Sequence, residues 1–441
     1  MAIRDAFGLT LSGATQAGFA PYAQAVRELQ CFIGDPVGSV DSAIAHDPGF
    51  VMAHVFKGYL FGLATEPDAS AVARACHEAA LPLAATARER AHVSALGHLA
   101  NGHWHEASAV LEAIAIDHPL DAVALQVGHQ IDFFTGNARM LRDRIGRALP
   151  SWRNGMPGYH AILGMQAFGL EEMGEYVGAE RLGRTAVEIE PRDGWAQHAV
   201  AHVMEMQSRQ RDGIAWMRAD PEAWTRESFL KVHNWWHLAL FHYDLGEAGE
   251  VLALYDGPIY GARSTLALNM VDASAILWRL HLGGVDVGDR WTTLAKNWAP
   301  KAGAGNYAFN DAHAMMAFVG AGLDAPARTL LDAQREAMRQ GGDNAVFTRD
   351  VGNPLVLAIK AFGEGDYAGT IRLIRPIRAI ASRFGGSHAQ RDVIDLTLIE
   401  AALRAGDVAL AKALAAERSA ARPDSPLSAL FSRRAADLSE N

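Results

Sequence analysis

The sequence predicts an all-α fold, an α-solenoid of stacked helical hairpins. Three observations carry that prediction. Alanine- and leucine-rich stretches with helical spacing fill the chain, while the strict alternation of strands is scarce. Prolines recur at a nearly constant interval: Pro48, Pro82, Pro119, Pro157 and Pro191 are separated by 34, 37, 38 and 34 residues. A Gly-x-aromatic string recurs at helix starts, in Gly102-His103-Trp104, Gly174-Glu175-Tyr176 and Gly365-Asp366-Tyr367. At 441 residues the chain exceeds one ordinary hydrophobic core, and with 50% hydrophobic and 20% charged residues it is not a disordered one.

The elements follow from the punctuation. A proline disfavours helical geometry in the residue ahead of it, so Asp47-Pro48, His118-Pro119 and Glu190-Pro191 read as the ends of helical runs. A period near 34 residues with two helices per unit is the mark of a tetratricopeptide-type repeat. The clearest unit runs from Gly174 to Trp195. Tyr176 opens its second helix, Ala179 and Ala186 are small positions that let two helices approach, and Trp195 opens the next first helix. Tyr176, Ala179 and Ala186 are therefore expected to be buried. Trp104 with Ala107 and Pro119 repeats the pattern.

Beyond Pro191 the spacing drifts through Pro221, Pro258 and Pro300, and the segments 256–261 and 341–344 read as loops. The chain is read as one continuous array over 1–422 of about ten to twelve hairpins. Residues 35–190 are its most regular repeats, 191–405 irregular repeats carrying the functional groove, and 423–441 a polar C-terminal cap or tail.

Composition narrows the partners. The formal charge of -10 argues against nucleic acid or an anionic membrane surface. Two cysteines, Cys31 and Cys76, cannot build a disulfide framework or a cysteine zinc site, which suits a reducing compartment. The start Met1–Ala6 lacks the basic-then-apolar pattern of a signal peptide, and no run of about 18 apolar residues occurs. The expectation is a soluble cytoplasmic protein with no nucleic-acid or membrane partner, compatible with a homo-oligomer.

The histidines keep the repeat register. His198 and His202, and likewise His233 and His237, are spaced i, i+4 and share a helix face. The second pair follows the first by 35 residues, one repeat, so both should sit at equivalent places on neighbouring first helices and line the concave face. Glu205 lies on the same face, and His313 precedes Gly322 by nine residues, as His237 precedes Gly246. Asn234 and Trp236 belong to the second pair's helix; His160, Asn310, Asp311, Arg349, Asp350, Gln390, Arg391 and Asp392 cluster near first-helix starts. Burying such groups without partners or a ligand is costly.

Two chemistries fit. In the acid–base version Glu205 or Asp311 orients a histidine among His202, His237 and His313, and an arginine holds an anionic group. Alternatively, His202, His237 and Glu205 or Asp311 ligate a divalent metal with water in the open position. No other cofactor is indicated. Hydrolysis of a small polar or peptide-like molecule is the least specific reaction consistent with either.

Each signal also has a structural reading. A histidine pair can be a hydrogen-bonded core pair, the tryptophans can be packing, and Arg349-Asp350 and Arg391-Asp392 can be inter-repeat ion pairs. His54, His77, His92, His129 and His281 are read as structural. No Gly-x-Ser-x-Gly or phosphate loop is present, and Cys76 beside His77 lacks a catalytic-thiol signature. The competing function is a non-enzymatic scaffold whose groove grips a partner's peptide.

The strings His198-Ala199-Val200-Ala201-His202, His233-Asn234-Trp235-Trp236-His237, Phe309-Asn310-Asp311-Ala312-His313, Thr348-Arg349-Asp350-Val351-Gly352 and Ala389-Gln390-Arg391-Asp392-Val393 resemble the tetratricopeptide repeat protein 38 family, as does Val285-Asp286-Val287-Gly288-Asp289-Arg290-Trp291. The likeness spans nearly the whole chain. It implies an all-helical, tetratricopeptide-like array and implies no reaction.

Overall fold

The structure, a computed structural model, describes residues 3–438; Met1 and Ala2 of the N-terminal reading and residues 439–441 of the C-terminal cap lie outside the described residues. The chain divides into two compact units, residues 1–200 with 220–231, and 201–219 with 232–441.

In the first unit helices pair in sequence: Gln16–Cys31 with Pro36–His46, Val51–Gly62 with Ala69–Ala80, Ala87–Ala100 with Trp104–Asp117, Ala122–Phe134 with Ala138–Ala148, and Tyr159–Glu172 with Tyr176–Ile189. The periodic prolines sit in the turns between pairs, ahead of the helices that begin at Val51, Ala87, Ala122, Tyr159 and Gly194. Pro157 belongs to the start of its helix; Pro150, in the 3-10 turn Leu149–Ser151, follows the end of the preceding one. Ala107, Ala179 and Ala186 are fully buried between helices. Tyr176 is half-buried, because it is the first residue of its helix and has solvent on one side. Among the described residues one strand pair occurs, Ile3–Arg4 against Thr10–Leu11, two residues long on each side.

The turns are held by carboxylates that do two jobs. Asp121, two residues after Pro119, accepts the Ala124 N–H at 3.0 Å and caps the next helix. The same carboxylate receives Arg88 at 2.6 Å and His92 at 3.0 Å from the preceding first helix. Burial works against its charged form, yet His92, Arg88 and the Ala124 N–H outweigh it and hold the Asp121 carboxyl well below its usual 3.8. The folded pKa is depressed, so this stabilisation is present above the unfolded value of about 4 and is lost as pH falls below it. In an acid titration followed by circular dichroism, the stability gap between wild type and Asp121→Asn should be constant from pH 7 to 5 and shrink below pH 4. A gap independent of pH would refute this.

A second buried ion pair stitches three helices. Arg144 donates to Asp132 at 2.8 Å and to the Ser108 hydroxyl at 2.7 Å, and that hydroxyl donates to Asp132 at 2.6 Å. Both charged side chains are fully buried. Gly128 makes room, since a Cβ there would lie 2.6 Å from the guanidinium carbon.

The second unit continues the pairing with Ala267–Leu282 and Arg290–Trp298, Ala308–Gly320 and Asp324–Ala337, Asn353–Gly363 and Tyr367–Ile374, and His388–Ala405 and Val408–Ala421. Its first helices close on one another: 267–282 packs against 308–320 and also against 388–405, and 308–320 packs against 353–363, which meets 388–405. The Trp278 indole donates to the Thr397 hydroxyl at 3.0 Å, and Arg279 to the Ala389 carbonyl at 2.7 Å. Trp278, Met315 and Phe318 on these helices are fully buried.

Two segments read as loops differ from that reading. Tyr255–Ile259 extends its helix as a π-type turn broken at Gly257, and a helix already begins at Asp343. The C-terminal cap contains a helix, Pro426–Asp437, that buries Leu427, Phe431 and Ala435. Among the described residues no helix is long and apolar enough to cross a membrane.

Candidate functional site

The site grows from two first helices. Gly194–Met206 carries His198, His202 and Glu205 on one face, and Lys231–Asp244 carries His233 and His237. In the second unit His202, His233 and His237 each offer a ring nitrogen within 4.8 Å of the others'. The ring centres of His202 and His237 are 4.4 Å apart, and those of His233 and His237 4.9 Å. The one-repeat offset thus brings the equivalent positions of two helices together. His198, one turn before His202, packs on the rings of Trp195 and Phe168 at 4.8 and 5.2 Å.

Two carboxylates hold the imidazoles. His237 Nδ1 lies 3.2 Å from a Glu205 oxygen, and His233 Nδ1 lies 3.0 Å from both oxygens of Asp272. A ring that donates its Nδ1–H to a carboxylate keeps Nε2 as a lone-pair donor, the arrangement that orients metal-ligating histidines. Burial holds both His202 and His237 well below the usual histidine value, and neighbouring imidazoles push in the same direction. Neutral imidazole is the form that ligates. Burial pushes Glu205 up to about 7, with Arg422 and Arg279 opposing. The His237–Glu205 contact is therefore a hydrogen bond between groups that both favour neutrality.

Glu205 also faces a small cavity lined by Ser208, Tyr243, Asp244, Arg279, Asp392, Arg418 and Arg422. Its free core of about 20 Å³ holds roughly one water molecule. Arg418 grips Asp392 with two hydrogen bonds, 2.8 and 3.1 Å, and Arg422 lies 3.9 Å from both Asp392 and Glu205. Together the arginines hold the Asp392 carboxyl well below the usual range despite its burial. Arg279 is fully buried; its guanidinium donates to the Ala275 and Ala389 carbonyls and stacks over Trp236 at 5.3 Å.

Of the remaining predicted residues, Trp236 packs against the rings of His233 and His237 at 5.3 and 5.0 Å. Asp311 accepts from Gln334 at 3.1 Å and is pushed up to about 7 by burial, while His313 bonds the Phe309 carbonyl at 2.8 Å and is lowered to about 4 by burial. Neither belongs to the imidazole cluster. Asn234, Trp236 and Asn310 are buried. Gln390 and Arg391 serve the start of their own helix, Gln390 in a capping box with Ser387 and Arg391 on the Gly386 carbonyl. Arg349 is exposed and bonds Asp350, which Arg383 also reaches. His160 lies in the first unit, bonded to Asp193 at 2.7 Å.

Sequence reasoning missed Asp272, Arg279, Arg418 and Arg422. A signal for Asp272 exists: an arginine or histidine on one first helix meets a carboxylate about one repeat later in Arg88–Asp121, His160–Asp193 and His233–Asp272. The arginines arrive from distant repeats and carry no local mark. No family model matches the chain.

Proposed function

We propose that the second unit is a metal-dependent site for a small polar, anionic molecule, with His202, His233 and His237 as ligands and Glu205 and Asp272 as their outer partners. The observation that carries this reading is the convergence of three ring nitrogens within 4.8 Å, two of the rings tethered to carboxylates through Nδ1. The donor set, made of imidazoles, fits a zinc-class divalent ion. Bound there, the ion supplies a polarised water for hydrolytic chemistry. Arg422, 3.9 Å from Glu205 and with no closer ion pair among the described residues, is the arginine placed to meet an anionic group, and Glu205, with a value near 7, is suited to moving a proton.

A small ligand is favoured over a partner peptide because the inner faces of the second unit's first helices are buried against one another. Membership of the tetratricopeptide repeat protein 38 family belongs to the same proposal, since the motif strings that resemble it include all three ligands.

The test is metal content. Untagged protein dialysed against zinc, then against metal-free buffer, should retain one equivalent by elemental mass spectrometry. Cobalt substitution should give the visible spectrum of a tetrahedral site. Failure to retain zinc, cobalt or manganese at stoichiometry overturns the reading.

A further inference from the structure

A second constellation lies in the first unit. Cys31 ends the Gln16–Cys31 helix, and its Sγ lies 4.0 Å from Nε2 of His160, whose Nδ1 is 2.7 Å from Asp193. The order thiol, imidazole, carboxylate is the one in which a base activates a nucleophile and a third group orients the base. Asp193 is anchored for that task, since its other oxygen accepts the Trp195 and Ala196 N–H groups at 3.1 and 2.9 Å. Phe32, directly after Cys31, has a left-handed backbone (φ 57°), a strained conformation for an aromatic residue held by stacking on Trp195 at 5.4 Å.

Residues close in sequence to Cys31, His160 and Asp193, though not those three themselves, line a small pocket. Gln30 and Phe32, the two neighbours of Cys31, line it with Ala161, the residue after His160, and with Met165, Gln130 and Trp195. Two buried donors on its wall, Trp195 Nε1 and Gln130 Nε2, have no hydrogen-bond partner among the described residues. Leaving such donors unpaired is costly, and a carbonyl oxygen is the group that would satisfy them.

We infer that Cys31, His160 and Asp193 form an acyl-transfer site that accepts small acyl groups from thioesters or activated esters. The Cys31 sulfur adds to the acyl carbonyl carbon while His160 Nε2 takes the thiol proton. The bond from carbon to the leaving group then breaks, and that proton passes from His160 to the leaving group, giving an S-acyl cysteine and the free thiol or alcohol. Water, deprotonated by His160, attacks the acyl carbon and releases the carboxylic acid, with the proton returned to Cys31. The free core of the pocket, about 10 Å³, is no larger than a single water site, so an acyl group enters only as the flexible Met165 gives way, which restricts it to acetyl size.

Burial raises the Cys31 thiol, so it keeps its proton until a base removes it. Burial opposes the charged form of His160, but the Asp193 hydrogen bond outweighs it and leaves the ring above its usual 6.5. The other charged groups facing the pair are Glu190 and Arg192 from the turn before Gly194. Acylation therefore requires neutral His160 and rises with pH through that ring's ionisation to a plateau.

The test uses the full chain and 4-nitrophenyl acetate. Peptide mass spectrometry should find one acetyl group on Cys31 and none on Cys76, which is equally buried but has no imidazole within hydrogen-bonding reach among the described residues. His160→Gln should slow acetylation by about 100-fold or more. Asp193→Asn should move the pH midpoint of acetylation downward, a readout that a purely structural role would not shift. Wild-type protein alone also decides: a plateau just above neutrality supports the site, whereas a rate climbing into strong alkali with the thiol's own ionisation overturns it. Absence of the Cys31 adduct together with no release of 4-nitrophenol above the uncatalysed rate, equal labelling of Cys76, or His160→Gln reacting at the wild-type rate in folded protein overturns it as well.

Discussion

His202→Gln and His237→Gln should each abolish stoichiometric metal retention, the largest effect expected from any single change in this chain. Glutamine keeps much of the volume and some hydrogen bonding, so the metal-free proteins should remain helical with melting temperatures near that of metal-free wild type. Wild type should gain about 2.7 kcal/mol when free metal is 100 times the dissociation constant, because an ion that binds only the folded state stabilises it. Neither variant should show that gain. The double variant should bind no worse than either single one, since loss of one ligand already dismantles a joint site. Asp272→Asn should be milder, weakening binding about 10- to 100-fold through its hold on His233. If the single variants retain one equivalent of metal, or if metal leaves the wild-type melting temperature unchanged, the imidazoles are structural.

Asp132→Ala should destabilise the first unit by about 3–5 kcal/mol, because it strands the Arg144 guanidinium in a fully buried position. Its remaining partners, the Ser108 hydroxyl and carbonyl, carry no compensating charge. Asp132→Asn keeps an acceptor and should cost less. Replacing both partners at once, as Asp132→Leu with Arg144→Met, should recover most of the loss, since a packed apolar pair spares the desolvation of two charges. Hydrogen exchange over 122–134 and 138–148 reads the effect in the helices that carry the pair. An Asp132→Ala protein as stable as wild type would show that water reaches the guanidinium.

These two predictions differ in how much of their basis was legible. The histidine pairs were readable because i, i+4 spacing and a one-repeat offset are local and periodic properties. The same holds for the helical hairpins: a proline alters the residue before it, and a glycine or alanine sets how near the next helix can come. Asp132 and Arg144 carried no such mark. They lie 12 residues apart on successive helices, and only the packing of those helices with Ser108 on a third turns two ordinary polar residues into a buried pair.

The sequence by itself therefore determined the helical class, the pairing of helices and the face on which the imidazoles stand, because each is settled within one repeat by backbone geometry and side-chain spacing. Only the tertiary structure decided that Asp272 rather than Asp311 supports the imidazole cluster, that Arg422 reaches Glu205, and that Cys31 meets His160 across 129 residues. Those contacts depend on small rotations between successive hairpins, accumulated over several repeats. No single residue encodes that sum, and the first helices of the second unit close or open according to it.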